Sequence, residues 1–213
     1  SRYRQRQRQP GTGPGLEQPS TKQTTTMSSA HTKTLPDQAR YTRTAIALHW
    51  LLALLLIGLA GSGVYMANLP FSPAKLKLIN WHKWVGICVL ALSALRLLWR
   101  LTHRPPALPP AVLEAMPGWQ RVAHHGVHAL MYLLFFAVPL AGWAYSSAAG
   151  FPIVLFGVLP LPDWLGADKA LAAGIKPLHA LLAMALMALV ALHVAGALKH
   201  QLIDRDGLLS RMK

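Results

Sequence analysis

Cysteine and acidic residues are nearly absent from this 213-residue chain, which has one cysteine and seven aspartates and glutamates against 21 lysines and arginines. The single Cys88 excludes an internal disulfide, a cysteine-ligated iron–sulfur cluster and a CxxCH haem attachment. It reads as a small packing residue inside an apolar run. Charge of either sign is scarce as well, at 13% of residues where an ordinary soluble domain carries about 25%. Also missing is a short apolar core with a small-residue cleavage site directly behind it. The first apolar run begins more than forty residues in, so it is expected to be retained rather than cleaved as a signal peptide.

What the chain does contain is apolar length, with 53% hydrophobic residues. Four runs stand out, near 45–67, 82–101, 127–145 and 177–198, each about 19 to 23 residues and therefore long enough to span a bilayer. Backbone polar groups in hydrocarbon must be satisfied within the segment, so Leu- and Ala-rich spans of this kind are helices. The expected fold is an all-α integral membrane four-helix bundle.

Basic residues beside the spans set the orientation. One side collects Arg40, Arg43, Arg100, Arg104, Arg121, Lys199, Arg205, Arg211 and Lys213; the other holds Lys75, Lys77, Lys83, Lys169 and Lys176. The richer side should be cytoplasmic, which places both termini inside. Residues 1–40, opening RYRQRQRQ and continuing in Gly, Pro, Ser, Thr and Gln, cannot build a core. This tail reads as a disordered extension in which Met27 is a candidate start, with a nucleic-acid or anionic-lipid role the alternative; no nucleic-acid partner is expected for the protein. Between the third and fourth spans, Ser146 to Lys176 contains FPIVLFGVLPLPDWLG, too short and too broken by proline to cross. It should cap the outer interface. Trp143, Tyr145 and Trp164 fall where an outer aromatic belt belongs, and Trp99 and Trp119 suit the inner one.

Histidines then divide by depth. His179 and His193 lie fourteen residues apart on the fourth span, a rise of about 21 Å that returns to nearly the same helix face. His82 opens the second span at the outer edge and His49 lies about one turn inside the first span. Matching levels pairs His82 with His179 outside and His49 with His193 inside. Ionisable side chains within spans are rare and usually functional. Neutral imidazole suits haem iron, zinc or copper, but two histidines without Cys, Asp or Glu leave a bare metal ion under-coordinated, whereas haem needs only two axial ligands. Two non-covalent haems b fit best. The same fourteen-residue step carries His82 to Arg96 and His49 to Gly63. A haem propionate or snorkelling to the headgroups accounts for Arg96; close approach of a flat macrocycle or small-residue helix packing accounts for Gly63. Pro139 should bend the third span, since its ring removes a backbone donor.

The succession ALHW, INWHKWVG, HHGVHALMYLLFFAVPLAG, PLHA and ALHVAGALKH resembles the prokaryotic cytochrome b561 family, and within it the diheme superoxide-oxidising branch. The resemblance covers about Arg40 to Lys213. It implies a bacterial inner-membrane cytochrome with two haems b on positions matching His49, His82, His179 and His193. In that branch periplasmic superoxide gives up its electron at the outer haem and ubiquinone is reduced on the cytoplasmic side. Other branches link a protein redox partner to the quinone pool, so that alternative stays open.

The residues bear on the substrate independently. Outer Lys83, Lys176, Lys75 and Lys77 make a positive field that would concentrate a small anion, or equally dock an acidic redox protein. On the inner side the family position matching His200 marks it as the first candidate for quinone binding or proton delivery, with Lys199 beside it and His128 second. A two-electron quinone suits two one-electron centres. A membrane anchor or metal-binding bundle without haem is the third class of reading.

Overall fold

The structure is a computed structural model that describes residues 40–212 apart from 104, 109, 116 and 206. The expected disordered tail, Arg104 and Lys213 lie outside the described residues.

Helix α1, Arg43–Ala67, starts where the Thr42 hydroxyl accepts the Ala45 N–H at 3.3 Å, a side-chain cap on an otherwise orphaned donor. Helix α2, Pro73–Thr102, is capped in the same way by Ser72 on Lys75 N–H, with a proline in its first turn where the missing donor costs nothing. A six-residue helix α3, Pro110–Ala115, leads to α4, Gly118–Ala148, which runs unbroken through Pro139. Asp168 caps α5, Lys169–Lys199, through the N–H groups of Ala170 and Leu171. The 31 residues of α4 and of α5 extend about 46 Å, well beyond a roughly 30 Å hydrocarbon core. Helix and lipid-spanning segment are therefore different lengths: α2 begins nine residues before His82 and α5 eight before Pro177.

Among the described residues four helices are long and apolar enough to cross a membrane, their most apolar stretches having mean hydropathies of 2.1, 1.7, 1.7 and 2.3. Side chains such as Leu54, Ile57, Val64, Leu133, Leu181 and Met184 are exposed along them. In water such a surface would associate; in a bilayer it is the lipid face. The architecture is the expected all-α membrane bundle.

Packing is unequal around the bundle. Helix α1 packs on α2, α2 on α4 and α4 on α5, while α5 makes no comparably extended contact with α1 or α2. Met131, Leu134 and Phe135 of α4 close on Leu186 of α5 as the buried core. The seam between α5 and the α1–α2 pair is left comparatively open.

The two ends differ. At the end where α4 passes to α5, residues 149–168 fold as a cap around a short antiparallel hairpin, β1 Val154–Leu155 and β2 Leu159–Pro160. Its turn uses left-handed backbone at Phe156 (φ 53°) and Gly157 (φ 75°), conformations that glycine adopts freely and phenylalanine does not. Lys83 Nζ donates to Ser146 Oγ and Phe151 O at 3.0 Å each, and Trp84 Nε1 donates to Val154 O at 2.7 Å. Ile153, 2% exposed, is buried beneath the cap. At the opposite end a single π-helical turn, His200–Asp204, stops at left-handed Arg205 and a 3₁₀ turn, Leu208–Met212, folds back. There Tyr41 N–H donates to Arg211 O at 3.3 Å, so both ends of the described chain meet on one face.

Candidate functional site: two histidine pairs across the α5 seam

The open seam is where the histidines meet. His82 of α2 faces His179 of α5 with ring centres 6.4 Å apart and planes crossed at 86°. His49 of α1 faces His193 of α5 at 6.3 Å and 69°. Imidazole–metal bonds of about 2 Å on each side of one ion, plus roughly 1 Å from nitrogen to ring centre, also place two rings about 6 Å apart. Each pair thus has the spacing that two imidazoles take across a single metal.

Tautomers at the cap-side pair suit that use. The one hydroxyl proton of Ser62 goes to Leu59 O at 3.0 Å, so its contact with His82 Nδ1 at 3.1 Å is one in which the ring N–H donates. His179 Nδ1 donates to Val138 O at 3.0 Å, since a carbonyl can only accept. Both rings therefore carry their proton on Nδ1 and keep the Nε2 lone pair available. A second hydrogen bond that fixes the ring in this way is the usual support of a metal-bound histidine.

Two glycines flank the same pair. A Cβ at Gly63 would come 3.5 Å from His82 Cε1, and one at Gly142 would come 3.0 Å from His179 Cε1 and 3.3 Å from its Nδ1. The His179 ring lies directly against the α4 backbone, an approach a larger residue would obstruct. No group of three or more His, Cys, Asp or Glu that could hold a metal ion occurs among the described residues. Two imidazoles alone under-coordinate a bare ion, whereas a macrocycle supplies four nitrogens and asks for two axial ligands. The donor set fits haem iron.

Around the second pair the neighbours are aromatic and basic. His128 lies 5.0 Å from His193, and its Nδ1 donates to His124 O at 2.6 Å. Trp50 stands 5.4 Å from His49. Arg96 Nη1 donates to Ala45 O, one turn before His49, at 3.4 Å, so the residue reached by the fourteen-residue step does sit on this level. His200 and Lys199 both engage Asp204, at 3.2 and 2.6 Å.

The cap-side lysines separate by environment. Lys83 is half-buried and holds the cap, and Lys75 Nζ donates to Leu69 O at 2.6 Å. Lys77 and Lys176 are exposed. Sequence reasoning did not single out Ser62, Gly142 or the Val138 carbonyl. A glycine three residues past a mid-helix proline, in VPLAG, was a legible sign of close backbone approach. Nothing local marks Ser62 or the carbonyl, whose roles depend on the partner helix. Trp143, expected in the outer aromatic belt, has its Nε1 fully buried without a hydrogen-bond partner among the described residues, and its ring meets Trp164 at 6.0 Å.

Long apolar helices carrying histidines paired at two depths define a helical membrane protein whose facing imidazoles suit a planar metal cofactor. Comparison with known proteins narrows this. Residues 40–213 match the family model of prokaryotic cytochrome b561, and the chain belongs to that family. It is 34% identical over 174 residues to cytochrome b561 homolog 2 of Escherichia coli (strain K12), covering 81% of this chain and 90% of that protein. It is 32% identical over 177 residues to the probable superoxide oxidase CybB of Yersinia pestis, covering 81% and 95%. Cytochrome b561 homolog 1 of the same E. coli strain is 30% identical over 177 residues, covering 81% and 96%. Membership makes this a bacterial membrane protein of electron transfer that uses b-type haem.

Proposed function

We propose that the protein is a diheme cytochrome b of the inner membrane that oxidises superoxide at its periplasmic end and reduces ubiquinone at its cytoplasmic end. The observation that carries the diheme reading is the twofold recurrence of crossed histidine pairs, 6.4 and 6.3 Å apart, across the α5 seam. Similarity to the probable superoxide oxidase of Y. pestis supports the substrate.

His82 and His179 would hold the outer haem, and His49 and His193 the inner one. Bound haem iron supplies the one-electron chemistry; the protein supplies position, charge and proton access. Two superoxide anions lose one electron each and leave as two dioxygen molecules, while one ubiquinone takes both electrons and two protons. Exposed Lys77 and Lys176, with Lys75 and Lys83, set a positive field at the capped end that raises the encounter rate of a small anion. Ser62 and Val138 orient the outer rings. Arg96, which reaches the His49 level through the Ala45 carbonyl, would neutralise a haem propionate. At the inner end His128 lies against His193 and His200 lies at the helix terminus with Lys199, where they would bind quinone or deliver its protons. The richer set of basic side chains at the end bearing both termini supports a cytoplasmic placement of that end.

The test is rapid mixing of purified diheme protein with superoxide, with and without a short-chain ubiquinone, followed at the haem absorbance bands. Fast haem reduction and quinol formation are expected; absence of both overturns the reading. A second reading is an electron-transfer subunit that takes electrons from a protein partner. The hairpin tip favours it, because Phe156 and Val158 at the capped end leave 55% and 83% of their apolar surface exposed. That reading requires haem reduction to depend on a co-purifying partner.

A further inference from the structure

Opposite the cap lies a cleft of about 150 Å³ that neither histidine pair occupies. Arg40, Arg96, Arg100 and His103 line it, together with Tyr41, Trp99 and Tyr132, and no acidic residue does so among the described residues. The walls are built rather than incidental. Arg211, 3% exposed, donates from Nη2 to Pro106 O and Ala107 O at 2.9 Å each. It also lies 5.8 Å over the Tyr41 ring. Trp50 Nε1 fixes Met212 O at 3.0 Å, and Trp99 Nε1 fixes Thr42 Oγ1 at 2.9 Å. Three chain segments, 40–42, 105–107 and 208–212, are thereby joined around the opening.

Among the described residues no carboxylate balances the cationic groups at its mouth. Arg100 lies 5.5 Å over the Tyr132 ring and Arg96 donates to the Ala45 carbonyl at 3.4 Å. Neither guanidinium, nor that of Arg40, has a carboxylate partner among the described residues. With Arg96 turned to the inner histidine level, Arg40 and Arg100 still bring two guanidinium groups to one opening, an arrangement that costs energy unless an anion joins them. Tyr and Trp at this depth mark the headgroup region, and the planar fork of arginine matches phosphate oxygens in pairs. Basic pockets between spanning helices are a general means of seating anionic headgroups.

We infer that this cleft binds a phosphate-bearing anion, the headgroup of an anionic phospholipid in the leaflet on the side of the chain termini. Arg40 and Arg100 are at the exposed mouth and grip the phosphate, with His103 and the Tyr41 and Tyr132 hydroxyls as further donors. Arg96, at the floor, is shared with the inner histidine level. The inference does not depend on superoxide or quinone as substrates.

Native mass spectrometry of the delipidated holoprotein in detergent tests it, with dioleoyl phosphatidylglycerol and dioleoyl phosphatidylcholine as probes. One phosphatidylglycerol should be retained in preference to phosphatidylcholine. In R40Q/R100Q that preference should fall about 30-fold, two arginines near a lipid surface being lost. R121Q/R205Q removes the same charge outside the cleft and should leave the preference intact. A normal haem spectrum in R40Q/R100Q verifies its fold. Equal retention of the two lipids by the unaltered protein, or equal loss in both double variants, overturns the assignment. Displacement of the lipid by inorganic phosphate would make free phosphate the ligand and overturn the lipid source; displacement by a short-chain ubiquinone would make the cleft a quinone pocket and overturn it altogether.

Discussion

Gly142→Ala tests the outer pair at a single methyl group. The new Cβ would stand 3.0 Å from His179 Cε1 and 3.3 Å from Nδ1, so the ring must retreat. Retreat is resisted because Nδ1 is tied to Val138 O at 3.0 Å, on the same helix as the methyl. Forced overpacking of this kind typically costs about 1–3 kcal/mol, equivalent to about a 5- to 150-fold loss of affinity for whatever His179 ligates. On the diheme reading proposed above, the purified variant should fall from two haems per chain toward one by pyridine haemochrome assay, with the surviving haem at the inner level. Gly174→Ala on α5, whose added Cβ meets nothing within 4 Å, should retain both. Full haem content with an unchanged spectrum in Gly142→Ala, or loss of the inner haem in its place, would refute the argument.

Other expectations follow from the same geometry. His82→Ala and His179→Ala should each lose the outer haem and spare the inner, while His49→Ala and His193→Ala do the reverse; spectra showing the same haem lost in all four would break the level assignment. Ser62→Ala removes the acceptor for His82 Nδ1 and should weaken the outer haem by roughly 10- to 100-fold, read by haem transfer to an acceptor protein. K77Q/K176Q should slow superoxide-driven haem reduction and flatten its dependence on ionic strength, because steering by exposed charge is screened by salt. Arg211→Ala strips two carbonyls of a charged donor and should cost roughly 3 kcal/mol, seen as a lower Tm with haem content initially unchanged.

Much of this was legible in the sequence because a helix converts spacing into position. The fourteen-residue step from His179 to His193 returns to one face, and alternating span direction assigns His82 and His49 their levels. The structure brings together both expected pairs, Gly63 with His82, and Arg96 with the His49 level. Hydropathy was a poorer guide to helix ends, since it marks the lipid-embedded part; Ser72 and Asp168 as caps were the better signals for α2 and α5. The hairpin at 154–160 was hidden because its turn uses Phe-Gly rather than Asn-Gly. Lys83 illustrates a different gap: its charge was readable, but its bonds to Ser146 and Phe151 depend on how the cap folds. The Arg211 hook joins residues more than a hundred positions apart, which no local pattern reveals.

The most direct test of the central claim is low-temperature electron paramagnetic resonance of the oxidised, purified protein. Imidazole planes crossed at 86° and 69° predict two low-spin ferric centres with strongly anisotropic signals, one lost with His179→Ala and the other with His193→Ala. A single centre, or high-spin iron in the unaltered protein, would contradict paired histidine ligation at two levels.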